Sequence, residues 1–175
     1  MLTSLVQYLK TVYLERKRTA AEILRLALSR NRDRIALVQG QRRMTYRELN
    51  REVRKASGFL RESGVCAGDR VAQLMPDSAE AIVFRLACHL SAVEVVIINT
   101  QLSGETIAYM MKTTEPGLAV RSGDIDVPGS TPVVDFALGL GGESGAAPEK
   151  PDIHAPATVN FSSGSTGRPK GIRLS

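Results

Sequence analysis

The chain has little aromatic or sulfur chemistry. It contains no tryptophan, and only 5% of its 175 residues are aromatic, so its core must rely on leucine, valine, isoleucine and alanine. Cys66 and Cys88 are too few for a disulfide framework, and no Cys/His spacing typical of a metal site occurs. We therefore expect reduced thiols in a cytoplasmic protein. With 43% hydrophobic and 23% charged residues, the composition is that of an ordinary globular chain, and its length suits one domain.

The two halves of the chain differ in charge. Residues 1–73 hold 16 Lys and Arg against 7 Asp and Glu, whereas residues 74–175 hold 7 against 11, and the whole chain carries a net charge of +5. A basic half is a feature of nucleic-acid-binding proteins, but this one has no recognisable binding motif and no interleaved aromatic residues. Its arginines are spread along predicted helices, as on solvent-facing surfaces. We therefore predict no nucleic-acid partner.

The N-terminal segment has no long hydrophobic run. Residues 1–18 instead place apolar side chains at three- and four-residue spacing, which predicts an amphipathic helix as an extension before a domain of residues 19–175. The segment is too short and too polar to span a membrane, and it lacks the apolar core and cleavage site of a secretory signal. We expect this helix to pack on its own domain, and docking to a membrane surface or to a partner is the alternative. The apolar positions are Leu2, Leu5, Val6, Leu9, Val12 and Tyr13.

The remaining sequence alternates predicted helices with predicted strands. Two of the predicted helices begin with residues at capping-box spacing, Thr19 with Glu22 and Thr45 with Glu48. The alternation predicts an α/β fold with parallel β-α units, in which a partly parallel sheet is flanked by helices. After the last predicted helix, glycine and proline predict a long mobile connection with one short strand. The predicted helices span residues 19–30, 45–63, 79–91 and 103–113, the predicted strands span 35–38, 70–75, 93–98, 118–120 and 133–138, and the connection spans 121–156.

The segment from Ser162 to Gly171 carries the strongest functional signal. Its glycines leave backbone N–H groups accessible, its hydroxyls add donors, and Arg168 and Lys170 add positive charge, which together suit a polyphosphate. A flexible Gly/Ser linker is the alternative, but linkers seldom follow a β-prone run such as residues 157–161. A Walker P-loop is excluded because Pro169 precedes the lysine and a glycine follows it, and no Gly-x-Gly-x-x-Gly fingerprint occurs.

Three motifs in order resemble one family. The segment Val159–Gly171 resembles the phosphate-binding signature of the acyl-adenylate-forming superfamily, which includes acyl-CoA synthetases, aryl-acid ligases and the adenylation domains of peptide synthetases. Met44–Asn50 and Gly64–Ala72 resemble its Thr-Tyr-x-Glu-Leu and Gly-Val-x-x-Gly-Asp-Arg-Val runs. The resemblance covers residues 19–175. One departure lies at Val93–Ile98, where the family commonly carries a glycine early and a proline late.

This resemblance implies the N-terminal portion of the family's large domain, incomplete at its C-terminus. In the implied reaction a carboxylic acid attacks the α-phosphorus of ATP, pyrophosphate leaves, and a thiol of CoA or of a phosphopantetheine carrier protein captures the acyl group. Lys170 would be catalytic, adding charge at the leaving phosphates, while Arg168 would face solvent, and the Mg²⁺ ligands would lie outside this chain. The residues implied to bind the ATP phosphates are Ser162, Ser163, Gly164, Ser165, Thr166, Gly167 and Lys170.

Two other interpretations remain open. One is a non-catalytic interaction module that keeps the scaffold and docks a partner or a membrane through residues 1–18, and the other is an unrelated phosphate-binding protein. Because the family continues beyond its phosphate loop, we expect a truncated chain that is inactive alone. The sequence identifies neither the acid nor the thiol acceptor. His89 and His154 lack a carboxylate or a cysteine at useful spacing, and we interpret both as structural.

Overall fold

The computed structural model describes residues 20–142, 157–162 and 169–174. The helix predicted for residues 1–18 lies outside these ranges. Within them, no helix combines the length and the apolar character that crossing a bilayer requires. The helices are α1 (Ala20–Arg30), α2 (Tyr46–Glu62), α3 (Ala79–Leu90) and α4 (Gly104–Thr114). The strands are β1 (Ile35–Gln39), β2 (Arg42–Thr45), β3 (Arg70–Leu74), β4 (Glu94–Ile98), β5 (Leu118–Arg121), β6 (Val133–Asp135), β7 (Thr158–Ser162) and β8 (Lys170–Leu174).

Six strands form one sheet in the order β6-β5-β3-β4-β7-β8. Neighbouring strands are parallel from β6 to β7, and β8 is antiparallel to β7. Strands β1 and β2 form a separate antiparallel hairpin. Because helices connect β3 to β4 and β4 to β5, these segments are the parallel β-α units that the alternation predicted. The predicted α/β class, a partly parallel sheet flanked by helices, is confirmed.

Two apolar cores lie on opposite faces of the sheet, because successive side chains of a strand point to opposite faces. Val71 and Val95 belong to the core shared with α1, α2 and α3. Ala72 and Val96 belong to the core shared with α4. Burying a valine or leucine side chain is worth about 1.5–3 kcal/mol relative to leaving it in water. The two cores therefore fix helices on both faces and leave the strand ends free to form a site.

Helix α2 begins at the capping box that the sequence predicted. Thr45 Oγ1 accepts a hydrogen bond from the Glu48 backbone N–H (3.2 Å), and Glu48 Oε2 accepts one from the Thr45 backbone N–H (2.7 Å). The helix is capped at Ser63, and Gly64 then takes the left-handed φ of 79° that suits a helix end. The Thr-Tyr-x-Glu-Leu segment therefore has a structural role, since its Thr and Glu cap the helix and Leu49 is buried.

Two stretches differ from the prediction. Arg42–Thr45 forms β2 although its sequence shows no strand pattern, because its two arginines face solvent and Met44 is its buried residue. The first part of the connection after β5 is packed rather than mobile. Phe136 is buried, with its ring centroid 5.3 Å from that of Phe59 and 5.4 Å from that of Phe84. Glycine and proline predicted the irregular backbone correctly but carried no information about this aromatic contact.

Candidate functional site

The motif with the strongest functional signal falls on a β-hairpin. Strand β7 ends at Ser162, β8 begins at Lys170, and these two residues are register partners. Partners in an antiparallel pair have Cα atoms about 5 Å apart, so residues 163–168 join two strand ends that are close in space. Both side chains are exposed. The hairpin thus brings a hydroxyl and an ammonium group to the same end of the sheet.

A cleft of about 710 Å³ lies beside this hairpin. It is formed at the carboxyl ends of three parallel strands, where Asp77 follows β3, Asn99 and Gln101 follow β4, and Ser162 ends β7. Apolar side chains, among them Phe161, complete its lining. The cleft therefore combines polar groups from several strand ends with an apolar wall, which is the usual character of a small-molecule site.

The strand order explains why the cleft forms there. From β3 the chain passes through α3 to β4 on one side, and from β4 it passes through α4 to β5 on the other side of β3. The two helices also pack on opposite faces of the sheet. Segments leaving β3 and β4 therefore diverge and leave a crevice between them. Such a switch point is where open α/β sheets bind their ligands.

Arg85 adds a positive charge to the wall of the cleft. It projects from α3 in a half-buried position, with its Nε 3.4 Å from Oε1 of the buried Gln73. Burial lowers the pKa of the Arg85 guanidinium, and the neighbouring Asp77 and Cys88 act in the opposite direction. An arginine remains protonated in proteins even so. The cleft consequently has a fixed cation on one wall and the Lys170 ammonium at the adjoining hairpin.

The structure places part of the predicted ATP-binding set. Ser162 lines the cleft, and Lys170 follows Pro169, which also lines it. The predictions for residues 163–168 lie outside the described residues, so the roles of that segment stay predictions. In the ranges that the structure describes, no three His, Cys, Asp or Glu side chains converge as metal ligands.

Cys66, Cys88 and His89, which the sequence also singles out, do not line the cleft. Cys66 and Cys88 are both free; Cys66 is exposed, and burial strongly raises the pKa of the Cys88 thiol, which makes it unreactive. Burial, with Arg85 nearby, lowers the pKa of His89, so its imidazole is neutral at pH 7. The interpretation of His89 as structural stays a prediction, and His154 lies outside the described residues.

Sequence reasoning does not assign Arg85, Asn99 or Gln101 to the site. A signal for the last two was present, because Asn99 directly follows β4 with Gln101 two residues further on, and the carboxyl ends of parallel strands share one edge of a sheet. Arg85 had no such signal. Its place in the cleft depends on which side of β3 each later strand pairs, and local periodicity does not contain that information.

Comparison with known proteins agrees with this geometry. Residues 24–175 match the family described as AMP-binding enzyme, and the chain belongs to that family. The resemblance inferred from the three motifs is thereby confirmed. The 2-succinylbenzoate–CoA ligase of Bacillus licheniformis is 32% identical over 158 residues, which make up 80% of this chain and 30% of that protein.

Solved structures share the fold. The N-terminal subdomain of NpsA from Klebsiella oxytoca matches with a TM-score of 0.82 at 26% identity, covering 90% of this chain and 42% of that one. NpsA-ThdA, an artificially fused adenylation–PCP di-domain from the same organism, matches with a TM-score of 0.80 at 25% identity, covering 90% and 32%. The chain thus spans less than half the length of these relatives.

Proposed function

We propose that the chain is the ATP-phosphate-binding part of a ligase that activates a carboxylic acid as its acyl-adenylate. The observation that carries the proposal is the register pairing of Ser162 with Lys170 at the edge of the switch-point cleft. Membership of the AMP-binding family supports it. The glycine- and hydroxyl-rich segment 163–168 lies between these two residues in the sequence and would complete the phosphate cradle.

In the proposed reaction a carboxylate oxygen of the acid bonds to the α-phosphorus of ATP, and the bond from that phosphorus to the bridging oxygen breaks. Pyrophosphate leaves with the bonding electrons. Its developing charge must be neutralised for the step to be fast. The Ser162 hydroxyl and the amides of residues 163–167 would donate to the β- and γ-phosphates. Lys170 would add a positive charge where the negative charge grows.

A second step would transfer the acyl group to a thiol. The sulfur attacks the acyl carbon of the adenylate, and AMP leaves with the electrons of the broken bond. Two acceptors stay open, because one relative is named as a CoA ligase and another is fused to a PCP domain. Mg²⁺ would neutralise phosphate charge in the first step, and we assign it no ligand in this chain.

Pyrophosphate release tests the proposal. The longest natural form of the protein that carries this chain is incubated with ATP, Mg²⁺ and a panel of aryl and alkyl carboxylic acids. We expect pyrophosphate to appear only when a suitable acid is present, followed by acid-dependent loss of free thiol from CoA or from a carrier protein. Acid-independent release of orthophosphate would contradict the proposal. Binding of a protein partner with no pyrophosphate release from any acid would favour the non-catalytic interaction module instead.

A further inference from the structure

A buried carboxylate lies at the amino end of an inner strand of the sheet. Glu94 is the first residue of β4, a strand that is otherwise apolar, and its side chain is only 5% exposed. Two guanidinium groups contact it. Arg70 Nε lies 2.5 Å from Glu94 Oε2, and Arg173 places Nε 2.7 Å from Oε1 and Nη2 3.2 Å from Oε2. Both carboxylate oxygens are therefore satisfied by charge-assisted hydrogen bonds.

These contacts connect separate parts of the fold. Arg70 begins β3 and is the register partner of Glu94, and its Nη1 also donates to the carbonyl of Thr114, the last residue of α4. Arg173 comes from β8, which lies two strands away from β4. Its side chain must therefore reach past β7 to contact Glu94. The result is one continuous network from α4 through β3 and β4 to β8.

The network sits where the phosphate-loop hairpin joins the sheet. Register pairing of β7 with β4 is confined to Thr158 with Val95 and Val159 with Val96, and Arg173 is the β8 partner of Val159. The half of β7 nearer the loop, Asn160–Ser162, has partners on β8 and no register partner on β4. The hairpin is thus attached at its open end and projects toward the cleft.

A buried ion pair is weak evidence for net stability, because desolvating the charges offsets their attraction. A valine or isoleucine at position 94 would extend the apolar pattern of β4 without burying a charge. What the pair supplies is a fixed orientation of β8 relative to β4, because the planar guanidinium of an arginine binds a carboxylate in few geometries. We propose that Glu94, acting through Arg173, is a positioning residue that orients the β7–β8 hairpin so that Ser162 and Lys170 face the cleft.

Glu94 acts at a distance from any ligand. Arg173 lies three residues beyond Lys170 on the same strand, or about 10 Å along it. A phosphate held between Ser162 and Lys170 would therefore not contact the carboxylate. The orienting effect rests on the geometry of the hairpin, whereas its value for catalysis rests on the proposed function.

Hydrogen exchange measures how firmly the hairpin is held on the sheet. Amide exchange is followed in the 175-residue chain for the wild type and for Glu94→Gln, Arg173→Gln, Arg173→Lys and the double variant Glu94→Gln/Arg173→Gln. The control is Glu52→Gln, which alters another buried carboxylate whose ionic partners, Arg51 and Lys55, belong to its own helix. Because Arg173 is 56% exposed, its variants keep the test valid if Glu94→Gln does not fold.

We expect amides of residues 157–162 and 170–174 to exchange about tenfold faster in both glutamine single variants, the scale expected when a hydrogen bond to a charged group is lost. Arg173→Lys keeps the charge but not the forked guanidinium. Its hairpin exchange rates should lie between those of the glutamine single variants and those of the wild type. The double variant should exchange no faster than Glu94→Gln. Unchanged hairpin exchange, or an equal increase across β3 and β5, would overturn the proposal.

Pyrophosphate titration separates this proposal from the proposed function. If the wild-type chain binds inorganic pyrophosphate, Arg173→Gln should weaken that binding and Glu52→Gln should not. If the longest natural form of the protein binds no pyrophosphate while hairpin exchange in the 175-residue chain responds as expected, the positioning role stands and the phosphate-binding assignment fails. If hairpin exchange and pyrophosphate affinity both stay unchanged in Arg173→Gln, the positioning role fails and the proposed function is unaffected.

Discussion

At the scale of single residues, the proposed chemistry depends most on Lys170. In the longest natural form of the protein, we expect Lys170→Ala to slow adenylate formation by ~10²–10³, because a cation at the leaving phosphates acts mainly on charge that develops in the transition state. The acid should bind nearly as well as before. Single-turnover measurement of adenylate formation separates the two effects. Lys112→Ala, which removes an exposed lysine from the last turn of α4, is the matched control and should leave the rate unchanged.

An unchanged rate in Lys170→Ala, with only a raised KM for the acid, would place Lys170 at the acid rather than at the phosphates. This outcome is informative because the register pairing fixes the position of Lys170 beside Ser162. A lysine at the acid would mean that the loop end of the hairpin faces the reacting carboxylate rather than the leaving phosphates.

Glu94 makes a testable contribution to stability as a function of pH. Burial by itself would raise the pKa of this carboxyl, but hydrogen bonds from Arg173 and Arg70 hold it below the ordinary value. The charged groups that face it are Arg70 from β3 and Arg173 from β8, and neither titrates in the acid range. A depressed pKa in the folded state means that the stabilisation is present above the unfolded pKa, about 4.3, and is lost as pH falls through the folded value.

The expected result is a difference in unfolding free energy between the wild type and Glu94→Gln that is constant above about pH 5 and shrinks below pH 4. Urea unfolding at a series of pH values measures it. A difference that instead grew on acidification would mean that the pKa of Glu94 is raised, and that desolvation outweighs the two arginines.

At the scale of secondary structure, the N-terminus of α2 offers the clearest prediction. Thr45→Ala removes the hydroxyl that accepts from the Glu48 N–H, and replacing such a cap costs typically about 1 kcal/mol. Thr113→Ala is the control, because Thr113 is an exposed threonine whose hydroxyl bonds back to the Tyr109 carbonyl within a helix and caps nothing. Denaturant unfolding measures the free energy of unfolding of the two variants and of the wild type. Equal stabilities would show that the Thr-Tyr-x-Glu-Leu segment is needed for something other than capping.

Elements whose ends carry their own side-chain signals could be predicted from the sequence. Helix α2 is an example, since Thr45, Glu48 and Gly64 mark both of its ends by local hydrogen bonding and backbone conformation. Strand β2 could not be predicted, because its two consecutive arginines break the apolar–polar alternation that marks a strand. Glu94 was visible as the exception in an apolar strand, but its role needs Arg173, which is remote in sequence and adjacent only after β7 and β8 pair.

The site was predictable to a similar, partial extent. Ser162 and Lys170 were singled out because glycine, hydroxyl and cation recur there in a local pattern that suits phosphate chemistry, and their role in phosphate binding stays a prediction. The cleft beside them was not found, because it arises from the order of the strands. That order depends on how whole helices and strands pack. Arg85 therefore belongs to the cleft wall only once the chain has folded, and its local sequence does not indicate this.

At the scale of the whole molecule, the sheet has an edge that is apolar. Strand β8 is the last strand of the order, and its Ile172 and Leu174 are each 49% exposed. An edge strand with exposed apolar side chains is a template for further pairing. The match with the 2-succinylbenzoate–CoA ligase covers only 30% of that protein, so most of the ligase has no counterpart in these 175 residues. We therefore expect the 175 residues alone to associate through this edge at high concentration.

The 175-residue chain should have no ligase activity by itself and should bind pyrophosphate weakly. The acid and the adenosine of ATP need more surface than the cleft and the hairpin present. Association also costs translational, rotational and side-chain freedom, which offsets most of what a few hydroxyls and Lys170 gain from the phosphates. Any remaining affinity should fall steeply with salt, because it rests on exposed charges. Calorimetry with pyrophosphate and with ATP at two salt concentrations, beside an acid-dependent ATP–pyrophosphate exchange assay, measures these expectations. Micromolar affinity for the nucleotide or acid-dependent exchange by this chain alone would show that a working site lies within the cleft between β3, β4 and β7.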